Sequence, residues 1–291
     1  MTPWPFALSR PARYPRAVKR LLLALSMALA LAGPATAAPA RMSAQDAYEL
    51  GLRYLKSGSY TKALEQLNRV RTYYRDDPYA LKAELAIADI HFKKNEWDLA
   101  RSAYEDFRRA HPRYRELDFV VYRLGLTLYK KAPTIAARDQ TWTRQAVDTW
   151  TRFGASFPES KWKEEVDRDL GKAQARLARK ELIIARFYER REAWGAVIGR
   201  VEPLLKNWPA SPDREEAMIL LGTAYAWRGE TDLAHMTQTR LQQEFPKGQG
   251  SAAIDRAMRQ AAEQAARDEK KRAAAVEKAA AEKAAAEHPA Q

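Results

Sequence analysis

Apolar and small residues recur along this chain with a helical period, and the same arrangement returns five times between residues 44 and 246. Each copy has a small residue, a bulky aromatic residue one helical turn later, a second small residue about nine positions after that, and a closing proline about twelve further on. In the last copy these are Gly222, Tyr225, Ala234 and Pro246. A fixed period of this kind is the sequence signature of stacked helical hairpins.

The other four copies keep these intervals closely. Their characteristic residues are Gly51, Tyr54, Ala63 and Pro78; Ala88, His91, Ala100 and Pro112; Gly125, Ala146 and Pro158; and Ala185, Tyr188, Val197 and Pro209. An extra stretch around residues 132–139 separates the halves of the third copy. Small side chains let two helices of about a dozen residues cross closely, and each proline ends a second helix because it lacks an N–H donor.

The repeat therefore predicts an all-α fold, a tetratricopeptide-type helical-hairpin solenoid of about five repeats over residues 44–250. Each hairpin leaves an apolar face that the next one covers, so five copies suffice for a stable stack. No strands are expected, because alternating apolar and polar runs bounded by hairpin turns are missing. The sequence Gly248-Gln249-Gly250 follows the last proline and is interpreted as a helix terminator.

Composition changes abruptly after Gly250. Residues 252–291 contain 17 alanines interleaved with Glu, Lys and Arg, and only few larger aliphatic residues. This composition predicts a long Ala/Lys/Glu-rich helix over residues 251–291, helical or partly disordered, and without a core of its own. One interpretation is a solvated, partly frayed helix. The other is an arm that contacts a partner or keeps a distance from peptidoglycan.

The N-terminus follows the order of a secretory signal peptide. Five basic residues between Arg10 and Arg20 precede an apolar run, Leu21 to Ala32, and Ala35-Thr36-Ala37 follows. The run is shorter than the roughly 20 residues that span a bilayer, so a signal peptide over residues 1–38 is favoured over a permanent anchor. Its removal would lower the formal net charge from +13 to about +8. That charge suits an anionic membrane surface or acidic proteins, or reflects only an arginine-rich composition.

The chemistry of an enzyme is missing from the sequence. There is no cysteine, which excludes disulfides, thiolate metal sites and a lipidated cysteine in this sequence. No phosphate-binding or nucleophile motif appears, and we expect neither an enzymatic activity nor a cofactor or metal. The four histidines, His91, His111, His235 and His288, lie far apart, and His91 is predicted to pack at a core position. The acidic group Glu164, Glu165, Asp167 and Asp169 is predicted to form a solvated helix face.

The first helices of successive repeats line up along one side of a solenoid and can form a binding groove there. Tyr48, Asp89 and Phe92 lie on predicted first helices and are candidates for a substrate groove on that side. Most other aromatic residues fit the repeat pattern and are expected in the core.

Two further segments carry a family resemblance. One runs from Leu177 through Tyr188 and Glu202 to Trp208-Pro209, and the other contains Asp118, Tyr122 and Gly125 ahead of the lengthened third repeat with Arg138-Asp139-Gln140. Over about residues 44–249 the chain resembles the BamD family, the helical-repeat component of the outer-membrane β-barrel assembly machine of Gram-negative bacteria.

The resemblance implies a non-enzymatic scaffold in the periplasm, at the inner face of the outer membrane. It implies contact with a BamA-like insertase through the C-terminal repeats and reception of unfolded outer-membrane proteins at the N-terminal repeats. The family arginine that pairs with an acidic insertase residue corresponds to Arg200, beside Glu202; from the residues alone, Arg200 can equally be a plain surface arginine. Well-known family members carry a lipidated cysteine that this sequence lacks, so membrane association is expected through partners.

Two alternatives stay open at this stage. A periplasmic tetratricopeptide coordinator of envelope processes, a partner of the Tol system or of pilus secretins, would tolerate charge reversal at Arg200. A helical superhelix lining a murein-cleaving active site is disfavoured, because no suitable catalytic carboxylate context is found.

Overall fold

The structure is a computed structural model that describes residues 42–287, and this part of the chain is built of helices with no strand. The helices are α1 (Ala44–Lys56), α2 (Tyr60–Tyr73), α3 (Pro78–Lys93), α4 (Trp97–Ala110), α5 (Leu117–Lys131), α6 (Thr141–Thr151), α7 (Phe153–Ser156), α8 (Lys163–Glu189), α9 (Trp194–Asn207), α10 (Arg214–Trp227), α11 (Thr231–Glu244) and α12 (Gly250–Glu287). The predicted signal peptide and His288 lie outside the described residues.

Five helical hairpins follow one another, which confirms the fold class predicted from the repeat. They are α1–α2, α3–α4, α5–α6, α8–α9 and α10–α11, and each helix packs on its neighbours in sequence. Four of the five hairpins turn through one residue with positive φ, namely Gly58 (75°), Asn95 (60°), Glu192 (55°) and Gly229 (76°). A left-handed residue is the common way to end a helix, so these four hairpins share one turn geometry.

The third hairpin replaces that turn with the inserted stretch seen in the sequence. Gln140 is fully buried, and its Nε2 donates hydrogen bonds to the carbonyl oxygens of Pro133 (3.1 Å) and Ile135 (3.0 Å). Arg176 of α8 also donates to the Pro133 carbonyl, at 3.5 Å. Because the buried amide of Gln140 needs partners, these bonds hold the insertion in one fixed loop.

Small residues lie where helices cross, as the repeat predicts. A Cβ atom placed on Gly125 would lie 2.2 Å from Nε1 of Trp150, and one on Gly222 would lie 2.5 Å from Cδ1 of Ile254. Real Cβ contacts are never this close, so only glycine permits these approaches. Ala63, Ala100, Ala146, Val197 and Ala234 are likewise fully buried.

Three apolar clusters follow one another along the solenoid. The first joins α1 to α3, the second extends from α3 to the start of α8, and the third runs from α8 to the start of α12. Helix α8 is 27 residues long, about twice the length expected for a repeat helix. Val166 and Ala173 of its first half belong to the second cluster, whereas Leu182 and Ala185 belong to the third. One continuous helix therefore joins two cores.

Helix α12 begins inside the core, so the expectation of a helix without core contacts is wrong for its first turns. Ile254 is fully buried against Gly222, and Ala257 is 5% exposed. The physical reason is that the last hairpin leaves an apolar face on α10, which the start of α12 covers.

The rest of α12 projects away from the solenoid. From Ala262 to Lys283 nearly every residue is exposed. The unit Glu-Lys-Ala-Ala-Ala occurs twice in succession from Glu277, and ion pairs join Glu263 to Arg267 (3.7 Å) and Lys278 to Glu282 (3.8 Å). A five-residue period advances the charged positions by about 140° around a helix, so no continuous apolar face forms. Within residues 42–287 no helix is both long enough and apolar enough to cross a membrane.

Candidate functional site

The first helices of the hairpins lie on the inner side of the solenoid. Helix α1 packs on α3, and α10 packs on α12, whereas no comparable contact joins α2 to α4 or α9 to α11 within the described residues. Elements on the shorter, inner side of a curved stack approach each other more closely. The surface formed by α1, α3 and α5 is therefore the inner groove of the N-terminal hairpins.

Arg123 of α5 is the centre of this groove. Its Nη2 and Nε donate to Oδ1 of Asp89 on α3, at 2.9 and 3.1 Å, and Asp89 also accepts a hydrogen bond from the Tyr104 hydroxyl at 2.5 Å. The guanidinium lies 3.8 Å from the ring centroid of Phe92. Burial, followed by the negative charge of Asp89, raises the pKa of Tyr104 well above its usual range, so this tyrosine stays a hydrogen-bond donor.

A cavity of about 590 Å³ opens beside Arg123. Its lining comprises Phe92, Lys93, Asn95, Trp97, Arg123 and Lys130. The rings of Phe92 and Trp97 meet edge to face, 5.3 Å apart, and the two lysines are exposed. The cavity thus combines an aromatic floor with a cationic rim, a combination suited to a peptide that carries both apolar and acidic groups.

Aromatic side chains extend this surface in both directions. Towards the N-terminus, the rings of Tyr48 on α1 and Tyr79 on α3 lie 5.3 Å apart. Burial is the largest factor that raises the pKa of Tyr48, and the negative charge of Asp89 adds to it. Towards the C-terminus, Trp162 lies 5.4 Å from Phe119 and stacks on Tyr122 at 5.3 Å. Aromatic contacts therefore follow α1, α3 and α5, the first helices of three hairpins.

The structure brings two of the three predicted groove residues together. Asp89 and Phe92 meet through Arg123, whereas Tyr48 lies on the neighbouring hairpin beside Tyr79. Sequence reasoning missed Arg123 and Trp162. The available signal for Arg123 was a single arginine inside the apolar run from Val120 to Leu124, because a charge in such a run must find a partner when the helix is buried.

Arg200 and Glu202 lie on α9 but point to different neighbours. Arg200 Nη1 donates to Oε2 of Glu181 on α8 at 3.1 Å, and the Arg200 side chain is 45% exposed. Glu202 instead accepts a hydrogen bond from the hydroxyl of Tyr225 on α10. Residues two apart on a helix face nearly opposite sides, so these two predicted partner-binding residues do not form one surface.

Other predictions about charged residues meet mixed outcomes. The solvated face predicted for the acidic group on α8 is wrong for Asp169, which is 6% exposed and accepts from Lys172 Nζ at 3.0 Å. His91 is half-buried, as its repeat position suggests, yet its Nδ1 lies 2.7 Å from Oε2 of Glu96 and so makes a polar contact. Between residues 42 and 287 no group of three or more His, Cys, Asp or Glu side chains is arranged to hold a metal ion.

Among solved structures, the chain is similar to the TPR2AB domain of yeast Sti1 in its pHSP90 complex, with a TM-score of 0.36, 15% identity, and coverage of 75% of this chain and 98% of that one. It is also similar to PilW, a type IV pilus biogenesis factor, with a TM-score of 0.36, 12% identity, and coverage of 72% and 97%. Neither likeness bears on function.

Sequence relatives are more informative. The outer membrane protein assembly factor BamD of Neisseria meningitidis serogroup A is 27% identical over 247 residues, 79% of this chain and 92% of the relative. BamD of Pasteurella multocida is 28% identical over 221 residues, 73% and 84% of the two chains. The family model YfiO, described as an outer membrane lipoprotein, matches residues 40–241. This match spans more than half of the sequence and most of the solenoid, so the chain belongs to the YfiO family of BamD-type outer-membrane protein assembly factors.

Proposed function

We propose that this protein is a non-enzymatic scaffold that binds unfolded outer-membrane proteins in its inner groove and a BamA-like insertase at its C-terminal hairpins. The observation that carries the proposal is the aromatic and cationic lining of the inner groove, in a chain whose family consists of outer-membrane assembly factors. Its place of action is then the periplasm, at the inner face of the outer membrane.

The groove suits an unfolded chain for physical reasons. Aromatic rings supply large contact areas at little loss of conformational entropy, and those of Tyr48, Tyr79, Phe92 and Phe119 are spread over three hairpins. Lys93 and Lys130 favour acidic side chains and disfavour basic ones. An extended peptide can lie across several first helices at once, which gives affinity without requiring one particular sequence.

Binding of a labelled, unfolded outer-membrane protein segment to Phe92→Ala tests the groove. We expect affinity to fall by about fivefold or more, because removal of an interface aromatic commonly costs more than 1 kcal/mol. A separate variant, Lys130→Glu, changes only an exposed side chain. It should weaken the binding of an acidic segment, because a negative charge replaces a positive one. Met236→Ala is the matched control, since Met236 is 67% exposed on the second helix α11. Equal affinity for Phe92→Ala and the parent chain would contradict the groove assignment.

Arg200 is suited to an acidic partner. Its bond to Glu181 uses Nη1, and a guanidinium has five N–H donors, so a partner carboxylate can bind beside Glu181. The partner carboxylate can form two parallel hydrogen bonds with the planar guanidinium of Arg200, and lysine cannot form such a pair. The intramolecular pair also orients the arginine before the partner arrives, and this lowers the entropy lost on binding.

Affinity purification of tagged chains from mildly solubilised envelopes tests the insertase contact. Arg200→Glu should reduce recovery of the insertase, whereas Glu181→Gln, which removes only the intramolecular partner, should leave most of it. Arg190→Glu is a control of equal charge change at another exposed arginine. Equal losses for Arg200→Glu and Arg190→Glu would remove the special role of Arg200. Recovery of Tol or pilus components without an insertase would reject the role in outer-membrane protein assembly and favour the periplasmic coordinator.

A further inference from the structure

A second charged surface lies away from the inner groove, at the edge where α2 and α4 end. It carries five exposed arginines, which we call the arginine edge: Arg71 and Arg75 beside one cavity, Arg69 beside another on the other side of α2, and Arg108 and Arg113 at the end of α4. Because α2 and α4 are the second helices of consecutive hairpins, they run in the same direction and end on the same edge. A cavity of about 410 Å³, lined among others by Arg71, Arg75 and His111, joins the two helix ends.

Positive charge exceeds negative charge on this edge. Residues 69–77 and 106–116 contain seven arginines and four acidic residues. Three of these acidic side chains contact groups of the protein itself. Asp77 accepts from the backbone N–H of Tyr79 (2.8 Å), Asp106 pairs with Arg109 (2.6 Å), and Glu116 lies 3.9 Å from Arg115. Glu84, which borders the cavity, is bonded to His111 at 3.1 Å. A bond from a backbone N–H leaves the charge of Asp77 in place, so Asp76, Asp77 and Glu84 oppose the five exposed arginines, three charges against five.

The same edge presents an exposed aromatic residue and receives the N-terminal part of the chain. Tyr73, the last residue of α2, is 77% exposed. The hydroxyl of its neighbour Tyr74 donates to the carbonyl oxygen of Met42, the first described residue. Met42, Arg69, Tyr73 and Tyr74 line one cavity of about 800 Å³. The described part of the chain therefore begins beside Arg69 and Tyr73.

We propose that the arginine edge binds a surface of anionic phospholipid headgroups. Arginine binds phosphate oxygens through two parallel N–H bonds, and a tyrosine is stable at the level of lipid headgroups because its ring is apolar and its hydroxyl is polar. The arginines are spread over two hairpins and do not converge on one point, which suits an array of phosphates better than a single small anion. This surface is separate from the groove and from Arg200, so the inference stands independently of the proposed function.

Cosedimentation with lipid vesicles tests the inference. The chain from residue 39 onward is suitable, since it contains all twelve described helices and all three apolar clusters. We expect it to bind vesicles containing phosphatidylglycerol and not vesicles of phosphatidylcholine alone. Each arginine near an anionic surface contributes about fivefold to partition, so Arg71→Gln, Arg75→Gln and Arg108→Gln together should lower it on the order of 100-fold. Raising the salt concentration to about 0.5 M should weaken binding of the parent chain strongly.

The matched control removes three exposed arginines elsewhere, with Arg144→Gln, Arg256→Gln and Arg259→Gln. Both triple variants lose the same net charge, and circular dichroism during heating establishes that both are folded. Equal loss of vesicle binding in the two variants would show attraction by net charge alone and overturn the assignment. Absence of binding to phosphatidylglycerol vesicles would overturn it as well. The same holds if calorimetry shows binding of inorganic phosphate while the protein binds no vesicles.

Discussion

Gly125 shows how one residue sets the distance between two helices. Trp150 of α6 lies over it, and the indole Nε1 donates to the carbonyl oxygen of Tyr122 at 3.3 Å. We predict that Gly125→Ala lowers the free energy of unfolding by about 1 to 3 kcal/mol, because the buried indole must shift. Gly171 of α8 is exposed and has no atom within 4 Å of an added Cβ. Gly171→Ala should therefore stabilise by about 0.5 to 1 kcal/mol. Urea unfolding measures both, and a destabilisation of similar size in the two variants would contradict this account.

Glu244 links folding to pH. Arg214 donates to it from Nε (2.6 Å) and Nη2 (2.9 Å), and Arg240 adds a third bond. The hydrogen bond from Arg214 is the largest factor that lowers the pKa of Glu244, from 4.5 to about 2. A lowered pKa in the folded state stabilises at pH values above the unfolded pKa, and this stabilisation is lost as the pH falls from about 4.5 to about 2.

Glu244→Gln should therefore lower the free energy of unfolding by about 1 kcal/mol at pH 7, a value reduced by solvent screening. The difference from the parent chain should shrink below about pH 4.5 and be mostly lost by about pH 2. Urea unfolding over this pH range measures it, with Glu263→Gln on the exposed part of α12 as control. A difference that stays constant with pH would exclude the carboxylate as its source.

Single residues were predictable where spacing alone determines their surroundings. The small residues at helix crossings and the aromatic residue Tyr225 are buried as their repeat positions indicate, whereas Tyr54 and Tyr188 are only partly buried. The apolar run around Arg123 indicates that it needs a partner, but its partners were not predictable, because Asp89 and Tyr104 lie 34 and 19 residues away in the chain. The opposite directions of Arg200 and Glu202 depend likewise on which neighbouring helix each side chain meets.

Among the helices, α12 combines two kinds of environment. Its first turns fill the last apolar face of the solenoid, and its remainder is exposed. We predict that Ile254→Ala lowers the free energy of unfolding by about 2 to 4 kcal/mol, since Ile254 is fully buried. Val276→Ala makes the same kind of change on the same helix, but Val276 is 69% exposed and its loss should change stability by less than about 0.5 kcal/mol. Thermal unfolding compares them, and equal effects would place Ile254 outside the core.

Element order followed from the repeat, but helix lengths did not. Helix α8 continues through two cores because no proline or positive-φ turn interrupts residues 163–189. The burial of Ile254 was missed because composition describes a segment on average. A few apolar residues at the start of an alanine-rich stretch are enough to cover one open helix face.

On the scale of the whole molecule, the exposed part of α12 extends beyond the packed hairpins. A helix rises 1.5 Å per residue, so removal of residues 263–287 shortens α12 by about 38 Å and should reduce the maximum dimension of the molecule. Small-angle X-ray scattering of the parent and shortened chains measures this difference. The melting temperature should change little, because the removed residues lie outside the three apolar clusters. An unchanged maximum dimension would mean that the helix folds back onto the solenoid.

Each Glu-Lys-Ala-Ala-Ala unit changes both the length of the exposed part of α12 and the rotation of its C-terminal end about the helix axis. One added unit would move the C-terminal end outward by about 7.5 Å and swing it by about 140° around the helix axis. Eighteen residues, five full turns, would extend it by about 27 Å and return it to the same bearing. The exposed segment packs on no other helix of the described chain. Its length can therefore vary among related proteins without a matching change in the solenoid. Lengths that do not differ by whole numbers of turns would then point the C-terminal end of the helix in different directions around its axis.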